Sequence, residues 1–290
     1  MTKAGALEGR VAVVTGGASG IGAALGRELS RRGADVVLAD RQLVLAEAVA
    51  REACAAGGRV RAAELDVRDG AAVKVLVDDT VRRTGRLDFF FGNAGISVGG
   101  EIDGYSAADW DDVFDVNLRG VTNGIQAAYP VMVRQGHGHL VHTASIAGLV
   151  ATPAQGSYTA SKHAVVGLTK ALRIEAARHG VRVSALCPGA VQTSILSGGR
   201  FGRLNVPGLH DEDMAAIIGV LRPMAPERFA RQAIDGVLAN QAIIIVPRWW
   251  RAFWYLERLS PTLSLGLWHL SLAELRRQVA KAVGSRRASG

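Results

Sequence analysis

The sequence predicts an α/β fold: a doubly wound parallel sheet with helices on both faces, followed by a helical C-terminal extension. Three observations carry this. Short apolar runs of strand length alternate with stretches of helical periodicity, the pattern of successive βαβ units. The first run opens directly into a glycine-rich turn and then a helix. Residues 247–290 leave that alternation and hold four of the five tryptophans, Trp249, Trp250, Trp254 and Trp268.

The elements follow in order. Val11–Val14 reads as a buried strand, and Ile21, Leu25 and Leu29 mark a helix that Gly33 ends. Val36–Ala39 is the second strand, and Leu43–Ala55 a helix stopped by Gly57 and Gly58. Val60–Leu65, Val73–Val81 and Leu87–Phe91 read as strand, helix and strand. Ser106 opens a long helical region to Gln135, with Asp109 completing a capping box. Pro130 is expected to kink or shorten its far end. Leu140–Ala144, Tyr158–His179 and Val181–Cys187 give strand, helix and strand. Thr193–Pro226 has five Gly, three Pro and weak periodicity, and reads as a mobile loop with short helices. Arg228–Asn240 is a helix and Ala242–Val246 the last strand.

Composition excludes several function classes. A chain of 290 residues buries a large core without disulfide or metal support. Its net charge is +8, but 8 of the 34 basic and only 2 of the 26 acidic residues lie in 247–290. That segment carries +6 and leaves +2 for residues 1–246, so no basic nucleic-acid groove is expected. Cys54 and Cys187 stand far apart with no metal-ligand spacing. His137, His139 and His142 have no carboxylate or thiol companion and read as loop and strand residues; no metal is expected. The residues up to Arg10 contain no apolar signal core, and no apolar run reaches the ~20 residues of a spanning helix, so a cytoplasmic location is expected.

The chemistry starts at Thr15-Gly16-Gly17-Ala18-Ser19-Gly20-Ile21-Gly22. Glycines at this spacing make a tight turn, let backbone approach a pyrophosphate, and let helix and strand pack closely. The helix N-terminus then offers free N–H groups to the anion. The strand before and the helix after supply the context a dinucleotide site needs, although the motif alone also fits a tight turn without ligand. Asp40 ends the second strand, where a carboxylate accepts hydrogen bonds from ribose hydroxyls and repels a 2′-phosphate. This favours NAD(H), with a strand-end turn aspartate as the plain reading. Arg41, which could meet a 2′-phosphate, keeps NADP(H) as the alternative.

Tyr158 and Lys162 lie four apart on a helix, hence on one face. An ammonium beside a phenol favours the phenolate and brings it nearer the working range of a general acid/base. Ser145, at a strand end, can hydrogen-bond a carbonyl or hydroxyl oxygen. A Tyr-x3-Lys pair by itself is also an ordinary solvated helix face.

Together with Asp66-Val67, Asn93-Ala94-Gly95, Asn117 in Asp115-Val116-Asn117-Leu118, and Pro188-Gly189 with Thr193, these motifs resemble the short-chain dehydrogenase/reductase family in order and spacing, over about residues 7–246. Gly92 stands where family members often have Asn. The resemblance implies a single Rossmann-type domain over 1–246, a substrate loop at about 193–226, and an extension over 247–290. It implies that Tyr158 exchanges a proton with the substrate oxygen, Lys162 lowers its pKa and holds the nicotinamide ribose, Ser145 positions the oxygen, and Asn117 holds a relay water. It assigns Gly16, Ser19, Gly20, Ile21, Gly22, Asp40, Arg41, Asp66, Val67, Asn93, Ala94, Gly95, Tyr158, Lys162, Pro188, Gly189, Val191 and Thr193 to the cofactor. The implied activity is hydride transfer between a nicotinamide cofactor and a secondary alcohol or ketone, by a homodimer or homotetramer. The aromatic tail and long loop suggest a lipophilic substrate. The alternatives are an NADPH-dependent 3-oxoacyl thioester reductase and a membrane-surface or scaffolding protein that uses the fold to bind NAD.

The family pattern leaves the tail unexplained. Arg248, Arg251, Tyr255 and Arg258 recur at helical spacing, while Trp249, Trp250, Phe253, Leu256 and Leu259 fall mostly on other faces. Pro261 breaks the pattern before a second apolar stretch, Thr262–Ala273. Packing on the substrate lid or a partner subunit is the favoured reading, and peripheral contact with a membrane surface the alternative.

Overall fold

Seven apolar runs become the seven strands of one parallel sheet in a computed structural model that describes residues 5–196, 201–206 and 223–287. The strands are β1 (Val11–Thr15), β2 (Asp35–Asp40), β3 (Arg59–Glu64), β4 (Phe89–Gly92), β6 (Gly138–Thr143), β7 (Val181–Pro188) and β9 (Ile243–Val246). Their order is β3-β2-β1-β4-β6-β7-β9, with every pair parallel. The order in which strands are added reverses between β1 and β4, which opens a crevice at their C-terminal ends. A second, two-stranded sheet pairs β5 (Ser97–Gly99) with β8 (Gly202–Leu204). These three-residue strands gave no periodic signal in the sequence.

Neighbouring residues of each central strand point to opposite faces, and both faces are covered. Val14, Leu38, Phe91 and Leu186 pack with Leu25 and Leu29 of α1 (Gly20–Arg31) and with Phe229 and Ile234 of a late helix over Pro226–Leu238. Val13, Val37, Phe90 and Leu140 pack on the other face with α3 (Gly70–Thr84) and α5 (Gly120–Gln135). The other helices of this part are α2 (Leu43–Ala55), α4 (Ala107–Phe114), α6 (Gly156–Ala176) and α7, the Pro226–Leu238 helix. Edge strand β3 carries Arg59 and Arg61, charges that blunt an open edge.

The region expected as one long helix is α4, a π-helical turn over Asp115–Arg119, and α5. Ser106 and Asp109 form the expected capping box. Pro130 does not shorten the helix, which runs through it to Gln135. Of the 193–226 loop, residues 193–196, 201–206 and 223–226 are described; the short helices expected elsewhere in it lie outside the described residues. The tail forms α8 (Arg251–Leu259) and α9 (Pro261–Arg287). Pro261 therefore starts a helix, as proline does at a first helical position, rather than merely ending one. Among the described residues no helix is long and apolar enough to cross a membrane.

Candidate active site

The C-terminal ends of β1, β4 and β6 are stitched together by short polar side chains. Thr15 Oγ1 accepts from the backbone N–H of Asn93 (2.9 Å) and Ala94 (3.1 Å). Asn93 Nδ2 donates to the Thr15 carbonyl, and Asn93 Oδ1 accepts from Thr143 Oγ1. The cleft above these ends is lined by every predicted cofactor residue. Ser145, Tyr158 and Lys162 line it too; Asn117 does not.

The glycine turn is built as its spacing requires. Gly16 has φ +68°, a conformation that disfavours any side chain. A Cβ on Gly22 would collide with the Gly16 carbonyl, so the first turn of α1 can close onto the strand only with glycine there. Ser19 is the N-cap of α1, but its side chain makes no capping hydrogen bond. The first N–H groups of the helix thus face the cleft without a side-chain acceptor.

Asp40 sits at the end of β2 and grips the same turn. Its Oδ2 accepts from Ala18 N at 3.0 Å and its Oδ1 from Gln42 N at 2.9 Å. The Arg41 guanidinium points to Asp66 (3.8 Å), which Arg68 also clamps. The Arg68 hydrogen bonds are the main reason the Asp66 carboxyl titrates below its usual range.

Ser145, Tyr158 and Lys162 converge at the other end of the cleft. Ser145 Oγ accepts from Ala147 N at 3.1 Å, capping a short 3₁₀ turn, Ile146–Gly148, and donates to the Pro188 carbonyl at 3.5 Å. Lys162 is almost fully buried, donates to the Thr143 carbonyl at 2.8 Å, and lies 5.5 Å from the centre of the Tyr158 ring. Burial brings the lysine down to about 8. Burial raises the Tyr158 phenol, and the Ser145 hydroxyl works against that rise.

Asn117 is completely buried in the π turn. Its Oδ1 accepts from Ile96 N, and its Nδ2 donates to the Ile96 carbonyl and to Ser161 Oγ. The side chain thus ties the segment after Gly95 to α6. A π turn also displaces the carbonyl ladder by one residue.

Several lining residues were not foreseen: Gln42, Leu65, Ile96, Val116, Thr143 and Ala144, and Ser194, Ile195, Leu196 and Phe201 from the loop. Thr143 could have been found from its place two residues before Ser145. The loop residues carry no periodic or motif signal. They are held by β8, whose Arg203 pairs with Asp109 (2.8 Å) and Asp112 (2.9 Å) on α4, while Asn205 donates to Asp109. The three histidines take separate partners. His142 Nδ1 meets Thr169 Oγ1, His139 Nε2 meets Ser184 Oγ, and His137 lies against Gln135.

A family profile described as short chain dehydrogenase matches residues 10–200. This chain belongs to the short-chain dehydrogenase/reductase family. As a family member it is an oxidoreductase, and the sheet, helices and glycine turn described above are the family's Rossmann-like fold. The Mycobacterium tuberculosis protein named oxidoreductase SadH is 36% identical over 245 residues, covering 82% of this chain and 86% of SadH. The 3-oxoacyl-[acyl-carrier-protein] reductase FabG of Thermotoga maritima is 37% identical over 187 residues, 64% of this chain and 76% of FabG. Among solved structures, a short-chain dehydrogenase/reductase from Burkholderia phymatum in complex with NAD superposes with a TM-score of 0.79 and 32% identity, covering 89% of this chain and 95% of that one.

Proposed function

We propose that this dehydrogenase interconverts a secondary alcohol and a ketone with NAD(H) as the redox partner. The carrying observation is the convergence of Ser145, Tyr158 and Lys162 at one end of a cleft whose other end is the glycine cradle and the uncapped start of α1. That cradle fits a dinucleotide: Gly16, Ser19, Gly20, Ile21 and Gly22 meet the pyrophosphate, Asp40 the adenosine ribose, and Asp66 and Val67 the adenine. Asn93, Ala94, Gly95, Lys162, Pro188, Gly189, Val191 and Thr193 line the nicotinamide half. Arg41, drawn toward Asp66, leaves the Asp40 carboxylate to select against a 2′-phosphate. The bound nicotinamide supplies hydride exchange at its C4.

The chain's own groups handle the proton. Tyr158 exchanges its hydroxyl proton with the substrate oxygen, and Ser145 donates a hydrogen bond to that same oxygen. The Lys162 ammonium orients the ribose and steadies the phenolate formed when Tyr158 gives up its proton. Asn117 holds the proton exit in place by fixing Ile96 and Ser161. Ile96, Ile195, Leu196 and Phe201 make the substrate end apolar, which supports a lipophilic alcohol or ketone. Family membership supports a homodimer or homotetramer.

The test is turnover with NADH and NADPH over ketones and alcohols of graded hydrophobicity, alongside the Tyr158→Phe variant. Tyr158→Phe should lose turnover and keep NADH binding; wild-type rates in that variant would overturn the mechanism. The similarity to FabG favours a second reading, NADPH-dependent reduction of a 3-oxoacyl thioester. A preference for NADPH together with 3-oxoacyl thioesters would establish it instead.

A further inference from the structure

The two helices after residue 246 have two faces with different fates. The inward face packs on the catalytic body: Trp250 is buried with Cys187, Ala144 and Ile245, and Phe253, Trp254 and Trp268 pack against the same cluster. On α9, Ser264, Trp268, Leu272 and Leu275 recur at helical spacing and are buried or half-buried. The outward face is not covered. Leu263, Leu267 and Leu270 recur at i, i+4 and i+7 on α9 and are all exposed. Leu259, at the turn between the helices, is 85% exposed, and Tyr255 and Trp249 are about half exposed. Apolar side chains in such a group are unusual on a protein surface that meets only water.

The hairpin carries an excess of positive charge. Arg248, Arg251 and Arg258 lie on or beside α8 and Lys281 near the end of α9, while Arg276 and Arg277 are held in ion pairs with Glu101 and Glu274. Glu257, in contrast, is engaged by Ser264 Oγ, and Glu274 by Arg277.

We propose that the α8–α9 hairpin docks on an anionic lipid bilayer, lying in its interface with the leucine face among the acyl chains and the arginines at the headgroups. Charge selects this occupant. A symmetric contact with a second copy would set the same arginines against one another, because each subunit presents the same patch. A bilayer of anionic lipid supplies the opposite charge and an apolar layer together. Neither helix crosses, as no described helix is long and apolar enough. Arg276 also pairs with Glu101, which follows β5, the partner of substrate-loop strand β8. Docking therefore holds the substrate end of the cleft close to the lipid, where a lipophilic substrate is concentrated. That last step rests on the proposed function, but the docking itself does not.

The experiment is sedimentation of the full chain with vesicles of phosphatidylcholine, with and without phosphatidylglycerol, alongside sedimentation equilibrium without lipid. The wild type should bind the anionic vesicles and bind the neutral ones roughly tenfold less. A Leu267→Glu/Leu270→Glu variant should lose vesicle binding while keeping its secondary structure and its turnover of a water-soluble substrate. An Arg248→Ser/Arg258→Ser variant should approach the neutral-vesicle level on both lipids. The proposal is overturned if the wild type binds neither vesicle or if the leucine variant binds as the wild type does. It is also overturned if the leucine change splits an oligomer in a chain that does not bind lipid, the face then being a contact between copies. Failure of the ketone screen leaves the vesicle result standing, so the two readings are separable.

Discussion

The indole Nε1 of Trp250 occupies the space that a Cβ on Gly189 would need. Gly189 lines the cleft and Trp250 belongs to the extension, so the tail backs the cleft wall at this turn. Strand β9 holds the same turn from the other side, with Gly189 N donating to the Val246 carbonyl at 2.9 Å. Gly189→Ala should destabilise by about 1–3 kcal/mol through overpacking, and Trp250→Ala by about 3–5 kcal/mol through the cavity it leaves. Because the two residues meet, the double variant should cost less than the sum of the singles. Urea denaturation of all four proteins measures this, and strict additivity would show that the contact carries no energy.

Acid should weaken the fold through two buried histidines. Burial lowers His142 to about 4 and, with the nearby Arg182 and Arg173 charges, lowers His139 to about 3. Their unfolded-state value is near 6.5. The folded value is the depressed one for a base, so the unfolded chain takes up protons first as pH falls. Stability is therefore complete above about pH 6.5 and is lost on the way down toward pH 4 and 3. Each histidine should remove roughly 2 kcal/mol between pH 7 and pH 5. Denaturation curves at the two pH values should show this loss, and His142→Gln should remove about half of it.

Asp40 should set cofactor choice. Asp40→Ser removes the acceptor for the ribose hydroxyls and frees Ala18 N, now held at 3.0 Å. NADH binding should weaken roughly 10–100-fold, the range expected for hydrogen bonds to a charged group, while NADPH binding holds or improves. Titration of intrinsic tryptophan fluorescence with each dinucleotide reads the ratio; an unchanged ratio would remove Asp40 from the selection.

The substrate loop should depend on Arg203. Its pairs with Asp109 and Asp112 fasten β8 to α4, and Asp109 is largely buried. Arg203→Ala should raise KM several-fold with a smaller change in kcat, because it loosens the wall of the cleft and leaves Tyr158 and Ser145 in place. A fall in kcat alone would contradict that division of labour.

The legible parts of this protein share a physical reason. The seven sheet strands, the capping box at Ser106 and the glycine turn each depend on residues close in sequence, so periodicity and turn chemistry expose them. The expected cofactor residues also line one cleft, because a parallel sheet brings its strand ends to one edge whatever lies between them. Legibility failed where contacts are long-range. The β5–β8 pair joins segments about a hundred residues apart through three-residue strands. Pro130 sits inside an intact helix because α5 is packed against β4 and β6 through its buried Ala127, Ala128, Val131 and Met132.

The tail draws the same line most clearly. That residues 247–290 are basic and aromatic, with helical spacing, is legible before any folding, since composition and spacing are properties of the chain alone. That Trp250, Phe253, Trp254 and Trp268 turn inward while Leu263, Leu267 and Leu270 stay outside comes from packing in the folded chain. A helix with apolar residues on several faces can bury any of them. The choice falls to the shape of the surface it meets, and here that surface has a place for an indole ring where Gly189 has no side chain.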